Sequence, residues 1–394
     1  MNKQPIINLG CLGSVSNGKS TLVEKLTGTR TQRHSNEKVR NITIKQGYAN
    51  MKLWYDGINY HTTDSNINYE NDYELINHIS FVDCPGHQEL IQTMLASVSL
   101  MDGVIIIIAV DQPLCKSPQL IQHLAGAKIG KIKKIIICMN KIDLVSQSVL
   151  YERKEELDKM LLEYGIEPFA IIPTCFNKKI GLDNVVKAIV KLFDPKEYIE
   201  RHNTNSIFKI SRTFDINKPG TDWHSVQGGV MGGTLSCGKL KVGDEIEIRP
   251  GQISKQGWKP LITKILSIKT DLCELNEIVP GGLVGIGTDL DPYYCKNDAL
   301  SGNVIGLVGF LPEVYTKITM SINLITLFGL WNPKKNDMVM LQIGTKMFEA
   351  KLISFNVNYD FELTKPACID NKHIIICRND NKILKVVADG LLLN

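Results

Sequence analysis

Along the first half of the chain, short apolar runs alternate with stretches of helical period. Ile6-Ile-Asn-Leu-Gly10, Ile79-Ser-Phe-Val82, Val104-Ile-Ile-Ile-Ile-Ala-Val110, Ile135-Ile-Ile-Cys-Met139 and Ala170-Ile-Ile172 read as strands. The run at 104–110 offers no polar face to water, so it predicts a central parallel strand covered by helices on both sides. Apolar residues recur at helical spacing over 21–26, 119–129, 151–163 and 182–192. This strand–helix alternation predicts an α/β domain with a doubly wound, mostly parallel sheet. Residues 54–77 are rich in Asn, Tyr and Asp and follow neither period, which predicts a hairpin or long loop inserted before the strand at 79.

The grammar changes after Asp194-Pro195 and a charged connector at 197–205. Short runs at 208–214, 245–249, 261–268 and 283–286 are separated by glycine-rich turns, the pattern of a small antiparallel barrel. A further set at 318–327, 338–343, 349–355, 372–378 and 385–388 predicts a second barrel. The expected organisation is therefore an α/β domain over 1–200, a barrel over 206–312 and another over 313–394.

At 394 residues, 43% hydrophobic and 22% charged, the chain is long enough for the cores of two or three domains. The start Met-Asn-Lys-Gln-Pro leads within a few residues into the first strand, so neither a signal peptide nor a membrane span is expected. Ten cysteines are scattered without a C-x-x-C pair, and Cys138 and Cys377 fall inside apolar runs, as buried thiols of a reducing cytoplasm would. The net charge of +4 decides little. Arg30, Arg33, Lys38, Arg40, Lys45 and Lys52 are opposed only by Glu37, which fits a solvated loop and an RNA contact equally well. The lysines at 128–134 are assigned to a helix end, where the dipole attracts cations.

Chemistry enters with Gly13-Ser-Val-Ser-Asn-Gly-Lys-Ser20, a G-x-x-x-x-G-K-S loop between a strand and a helix. The glycines let successive N–H groups turn toward a polyphosphate at the helix start, Lys19 reaches the β- and γ-phosphates, and Ser20 ligates Mg²⁺. Asn140-Lys-Ile-Asp143 at a strand's carboxyl end selects guanine: an Asp143 carboxylate accepts from both N1–H and the exocyclic amine, which adenine cannot match. Asn140 bonds the N7 side and ties neighbouring loops, and Lys141 lays its stem along the base. Asp83-Cys-Pro-Gly-His87 supplies a water-mediated Mg²⁺ contact at Asp83, a γ-phosphate contact at the Gly86 amide, and His87 to orient the attacking water. Thr43, in a polar first switch, is a second hydroxyl for Mg²⁺. The predicted nucleotide set is Gly13, Ser16, Asn17, Gly18, Lys19, Ser20, Thr21, Gly86, Asn140, Lys141, Asp143, Thr174 and Cys175, with GTP/GDP and Mg²⁺ as cofactors.

On these motifs the chain resembles the translational GTPases, and more closely the gamma subunit of eukaryotic and archaeal translation initiation factor two. The likeness rests on Asn36-Glu-Lys-Val-Arg-Asn-Ile-Thr-Ile-Lys45, Gly47-Tyr-Ala-Asn50, Phe81-Val-Asp-Cys-Pro-Gly-His87, Phe214-Asp-Ile-Asn-Lys-Pro-Gly220, Gly228-Gly-Val-Met-Gly-Gly233, the stretch at 240–251 and Pro280-Gly-Gly-Leu-Val-Gly-Ile-Gly-Thr288. It implies GTP-dependent carriage of initiator methionyl-tRNA to the small ribosomal subunit, inside a trimer with alpha and beta subunits, served by GTPase-activating and exchange factors. It also implies that His87 is catalytic with Thr43, that Val15 is an apolar gate against His87, and that the backbone of Thr174-Cys175, standing where relatives have Ser-Ala, meets the guanine oxygen. Two departures matter. Relatives often carry a cysteine-ligated zinc knuckle, whereas 51–79 holds no cysteine, so no zinc is expected. Ser14 and Asn17 stand where relatives usually have histidine. Tyr48 is expected to meet the tRNA end beside Gly228-to-Gly233, whose bare backbone leaves room for it. An elongation-type aminoacyl-tRNA carrier, and a GTP-binding subunit that has lost hydrolysis, are the alternative readings.

Overall fold

The structure is a computed structural model that describes residues 4–29, 47–62, 73–84, 95, 97–114, 117–218, 220, 222–255, 257–270, 273–325, 331–380 and 383–393. The chain forms two compact units, 1–197 and 198–394.

The first unit is built on a seven-stranded sheet. Its strands are β1 (Ile7–Leu12), β2 (Gly47–Tyr55), β3 (Tyr60–Thr62), β4 (Glu74–Asp83), β5 (Gly103–Ala109), β6 (Ile135–Asn140) and β7 (Ala170–Pro173), in the order β3-β2-β4-β1-β5-β6-β7. The five strands from β4 to β7 run parallel, and β2 and β3 add an antiparallel edge. Helices α1 (Lys19–Thr27), α2 (Pro118–Ile129), α3 (Gln147–Tyr164) and α4 (Leu182–Leu192) follow β1, β5, β6 and β7. Apolar side chains of β1 and β5 are buried almost without exception, as strands covered on both faces require. Helix α3 begins four residues before its apolar pattern because Ser146 caps it, accepting from the Val149 amide. The segment at 54–77, expected as a hairpin or long loop, turns back as a hairpin where β3 pairs with β2, Tyr55 opposite Tyr60. Strand β4 starts at Glu74 and pairs back along β2 to Tyr55, with a register slip between Leu53 and Trp54 that interrupts the alternation.

The second unit holds two antiparallel closed barrels. Strands β8 (Ile207–Phe214), β9 (Val230–Cys237), β11 (Glu245–Ser254), β12 (Gly257–Thr270), β15 (Val284–Thr288) and β16 (Val304–Leu307) make a ring closed by the β11–β12 pairing; the short β10 (Leu240–Lys241), β13 (Cys273–Leu275) and β14 (Glu277–Ile278) flank it. Strands β17 (Val314–Leu324), β18 (Met338–Ile343), β19 (Lys346–Phe355), β20 (Tyr359–Cys368), β21 (His373–Asp380) and β22 (Ile383–Leu392) close the second ring. Each barrel has its own core, one around Phe208, Ile246, Ile265 and Ile286, the other around Trp331, Phe361, Leu341 and Ile376. Polar links join them: Lys209 and Asp370 pair at 2.9 Å, nearly buried, and the Arg249 guanidinium donates to the Leu311 and Pro312 carbonyls while Glu247 neutralises it.

Candidate nucleotide-binding site

The loop from β1 to α1 takes a shape that only particular residues allow. Gly13 has φ +142° and Gly18 φ +103°, and a Cβ at either would fall 2.3 Å from the Ile107 carbonyl oxygen or 2.5 Å from Asn140 Nδ2. Ser16 also lies in the left-handed region, at φ 64°, which costs a non-glycine residue about 1–2 kcal/mol. The loop ends at the N-terminus of α1, where unpaired amides and the helix dipole favour an anion.

Lys19 is buried and its ammonium donates to the Gly13 carbonyl at 2.8 Å and the Ser14 carbonyl at 2.9 Å. Burial pushes its pKa down, and nearby Asp83 opposes that shift. Ser20 donates its hydroxyl to Asp83 Oδ2 at 2.8 Å, so the fold brings the helix start and the end of β4 to one point. A hydroxyl and a carboxylate are hard oxygen donors of the kind Mg²⁺ takes, usually with several waters retained. Among the described residues no group of three or more His, Cys, Asp or Glu is placed to hold a metal ion.

Asn140 joins the phosphate loop to the base loop. Its Nδ2 donates to the Asn17 carbonyl at 2.8 Å, and its Oδ1 accepts from the Phe176 amide at 3.2 Å. The Asn17 side chain is turned away from the loop's interior, donating to the Ile107 carbonyl at 2.9 Å. Lys141 sits at φ 67° with its ammonium on Asp111 at 2.9 Å. Asp143 pairs with Lys178 at 3.0 Å, and the Cys175 thiol with the Lys178 ammonium holds its carboxyl below the usual range. A cavity of about 360 Å³ flanks the loop, lined by Ser14 to Asn17, Asp111 and Lys141 among others. Val15 is half-buried there.

The Thr174 amide donates to the Met139 carbonyl at 2.7 Å and the Cys175 amide to the Ile180 carbonyl at 3.0 Å. At 228–233 a Cβ would come 2.0 Å from the Thr288 carbonyl oxygen at Gly228, 2.3 Å from Cys295 Sγ at Gly229 and 1.9 Å from the Lys209 carbonyl oxygen at Gly233, so barrel packing requires glycine at these positions. Thr21 stands in the first turn of α1, and Tyr48 is half-buried on β2, opposite Val82 and one residue from the partner of Asp83. Thr43, Gly86 and His87 lie outside the described residues.

Sequence reading missed His123 on α2. Its ring is buried near the Gly13 backbone and Lys19, and burial lowers its pKa to about 3, so it is neutral. Nothing in a lone histidine within a helical pattern signals that position.

The Elongation factor Tu GTP binding domain family matches residues 4–195. The chain is 40% identical to a translation initiation factor 2 subunit gamma of Methanocaldococcus jannaschii, over 99% of this chain and 98% of that protein. It is 36% identical to a eukaryotic translation initiation factor 2 subunit gamma of Encephalitozoon cuniculi, over 99% and 93%. The chain belongs to the translation initiation factor 2 gamma subunit family. This member is accordingly a GTP-binding translational GTPase of the initiation-factor type. Its fold is also that of a bacterial selenocysteine-specific elongation factor EF-Sec, with a TM-score of 0.75 at 20% identity, covering 98% of this chain and 58% of that one. The translation elongation factor SelB of Methanococcus maripaludis, solved with the GTP analogue GppNHp, gives a TM-score of 0.75 at 19% identity, covering 100% and 80%. Among the described residues no helix is long and apolar enough to cross a membrane.

Proposed function

We propose that the protein binds initiator methionyl-tRNA in its GTP state and delivers it to the small ribosomal subunit, as the gamma subunit of a trimer with alpha and beta partners, hydrolysing GTP to GDP on release. The observation that supports this most is the near-complete match to proteins named as that subunit, together with the Ser20–Asp83 contact beneath a phosphate loop. The elongation-type reading has the shared fold behind it, but identity near 20% speaks for the fold alone.

In this reading the loop amides and Lys19 hold the phosphates, and Ser20, Thr43 and Asp83 would hold Mg²⁺. When bound, the ion neutralises charge on the β- and γ-phosphates. Thr43 and Gly86 report whether a γ-phosphate is present, His87 orients water, Val15 screens His87, and Asn140, Lys141 and Asp143 select guanine. Zinc has no part in it.

Asp143→Asn is expected to weaken GTP binding and favour xanthosine triphosphate, since an amide matches a carbonyl where the carboxylate matched a donor. The loss is roughly 1.5–3 kcal/mol per charge-assisted bond. Competition between GTP and XTP checks this; unchanged preference for GTP would remove Asp143 from base selection. Affinity purification of the tagged chain tests the assembly. Two smaller subunits and one tRNA species are expected, and a single chain carrying mixed tRNAs would favour the elongation-type reading.

A further inference from the structure

The phosphate loop owes its shape to side-chain bonds as much as to its glycines. A cavity of about 360 Å³ lies against Ser14 to Asn17, so close packing does not fix the loop on that side. Strand β1 ends its pairing with β5 at Leu12, opposite Ile106. Gly13 then crosses the next carbonyl of β5, that of Ile107, so closely that a Cβ would stand 2.3 Å from the oxygen. The Asn17 side-chain amide donates to that carbonyl at 2.9 Å and ties the loop to the sheet at the point where strand pairing stops. The Asn17 backbone carbonyl accepts from Asn140 Nδ2 at 2.8 Å, so one residue links β5, the loop and the end of β6. Toward the start of the loop, Ser14 Oγ and Ser117 Oγ are hydrogen-bonded at 3.1 Å. Ser117 caps α2 and accepts from the Leu120 amide at 3.3 Å, which leaves its proton available to Ser14. The backbone carbonyls of Gly13 and Ser14 are turned to Lys19, so the Ser14 hydroxyl can hold Ser117 without disturbing them.

We propose that Ser14 and Asn17 are positioning residues that slow nucleotide release: their side chains pin the loop to α2 and to β5 and keep its amides aimed at the phosphates. The inference rests on this loop being the phosphate site. Both residues stand where relatives usually have histidine, so these bonds are features of this chain's own loop. A loop held in its binding shape before the nucleotide arrives loses less conformational freedom on binding. Among variants of one site, such differences fall mainly on the dissociation rate. Each tie is a single neutral hydrogen bond, which sets the expected size of the effect.

Release of a fluorescent GDP analogue, chased with unlabelled GDP, tests this. Ser14→Ala and Asn17→Ala should each raise the release rate by about 3- to 10-fold and leave the association rate within about twofold. Ser14→Thr keeps the hydroxyl and should return release to within about twofold of wild type. Because the Ser14 tie has a side-chain partner, a double-mutant cycle isolates it. Ser117→Ala should raise release as Ser14→Ala does, and the double variant should release GDP no faster than the faster single one. Lys19→Ala, measured alongside, separates the two levels. If that variant binds GDP as tightly as the wild type, the phosphate-site assignment beneath the inference fails. If it loses GDP while Ser14→Ala or Asn17→Ala releases it at the wild-type rate, or while the Ser14 and Ser117 effects multiply, the positioning role is overturned and the phosphate site stands. Slower association with unchanged release would mark a damaged domain and overturn the positioning role as well.

Discussion

Lys19→Ala is expected to reduce GTP affinity by about 10²–10⁴-fold. The wild-type ammonium is buried and spends two bonds on the Gly13 and Ser14 carbonyls. On nucleotide binding those bonds exchange for phosphate oxygens, at a similar cost in geometry and a large gain in charge. Each charge-assisted bond contributes about 1.5–3 kcal/mol, so losing two removes roughly 3–6 kcal/mol, which is the stated range. The variant also leaves two inward carbonyls without their strongest donor, so the empty loop should loosen. Titration with a fluorescent GTP analogue measures the effect, and an affinity within tenfold of wild type would take Lys19 off the phosphates.

His87→Ala is expected to leave nucleotide affinity within about twofold while suppressing partner-stimulated hydrolysis by roughly 10²–10⁴-fold, the range for a positioned acid–base group. No arginine lies in the nucleotide motifs to neutralise the γ-phosphate from within the chain. Isolated turnover should therefore stay near ~10⁻⁴ s⁻¹, with helpers adding about 10³–10⁵. Single-turnover phosphate release, with and without the activating partner, separates the two quantities. Fast turnover by the isolated protein would contradict the carrier reading, because a carrier must keep its GTP until delivery.

The parts of the site legible in the sequence are those where chemistry dictates residue type at fixed spacing. Gly13, Gly18, Lys19 and Ser20 are tied to one another through a single loop, and Asn140 and Asp143 through one turn. Contacts made across long sequence distances were not legible. Ser14 meets the Ser117 hydroxyl at 3.1 Å and Lys178 meets Asp143, yet neither pair leaves a local pattern. The glycines at 228–233 show the same limit from the other side, since bare backbone signals a close approach without saying to what. The fold class followed from apolar runs because sheets buried on both faces permit no other composition. The barrels were harder. Strand β9 is glycine-rich, and in β20 Phe361, Leu363 and Ala367 enter the core separated by polar residues, so each lacks the apolar run that betrays a strand.

The nucleotide state is expected to gate the hold on tRNA. On the proposed assignment Thr43, on Mg²⁺, and Gly86, on the γ-phosphate, both engage only when γ-phosphate and Mg²⁺ are present, so GTP should order the first switch beside β2, where Tyr48 is half-exposed. Stacking of a base on such an aromatic contributes about 1–3 kcal/mol. Filter binding of labelled methionyl initiator tRNA to the protein loaded with GTP or GDP tests this most directly, with Tyr48→Ala alongside. The account predicts at least ~10-fold tighter binding with GTP, a coupling of roughly 1.4 kcal/mol, and a weaker GTP-state complex for Tyr48→Ala with its GTP affinity intact. Equal affinity for tRNA in the two nucleotide states would contradict it.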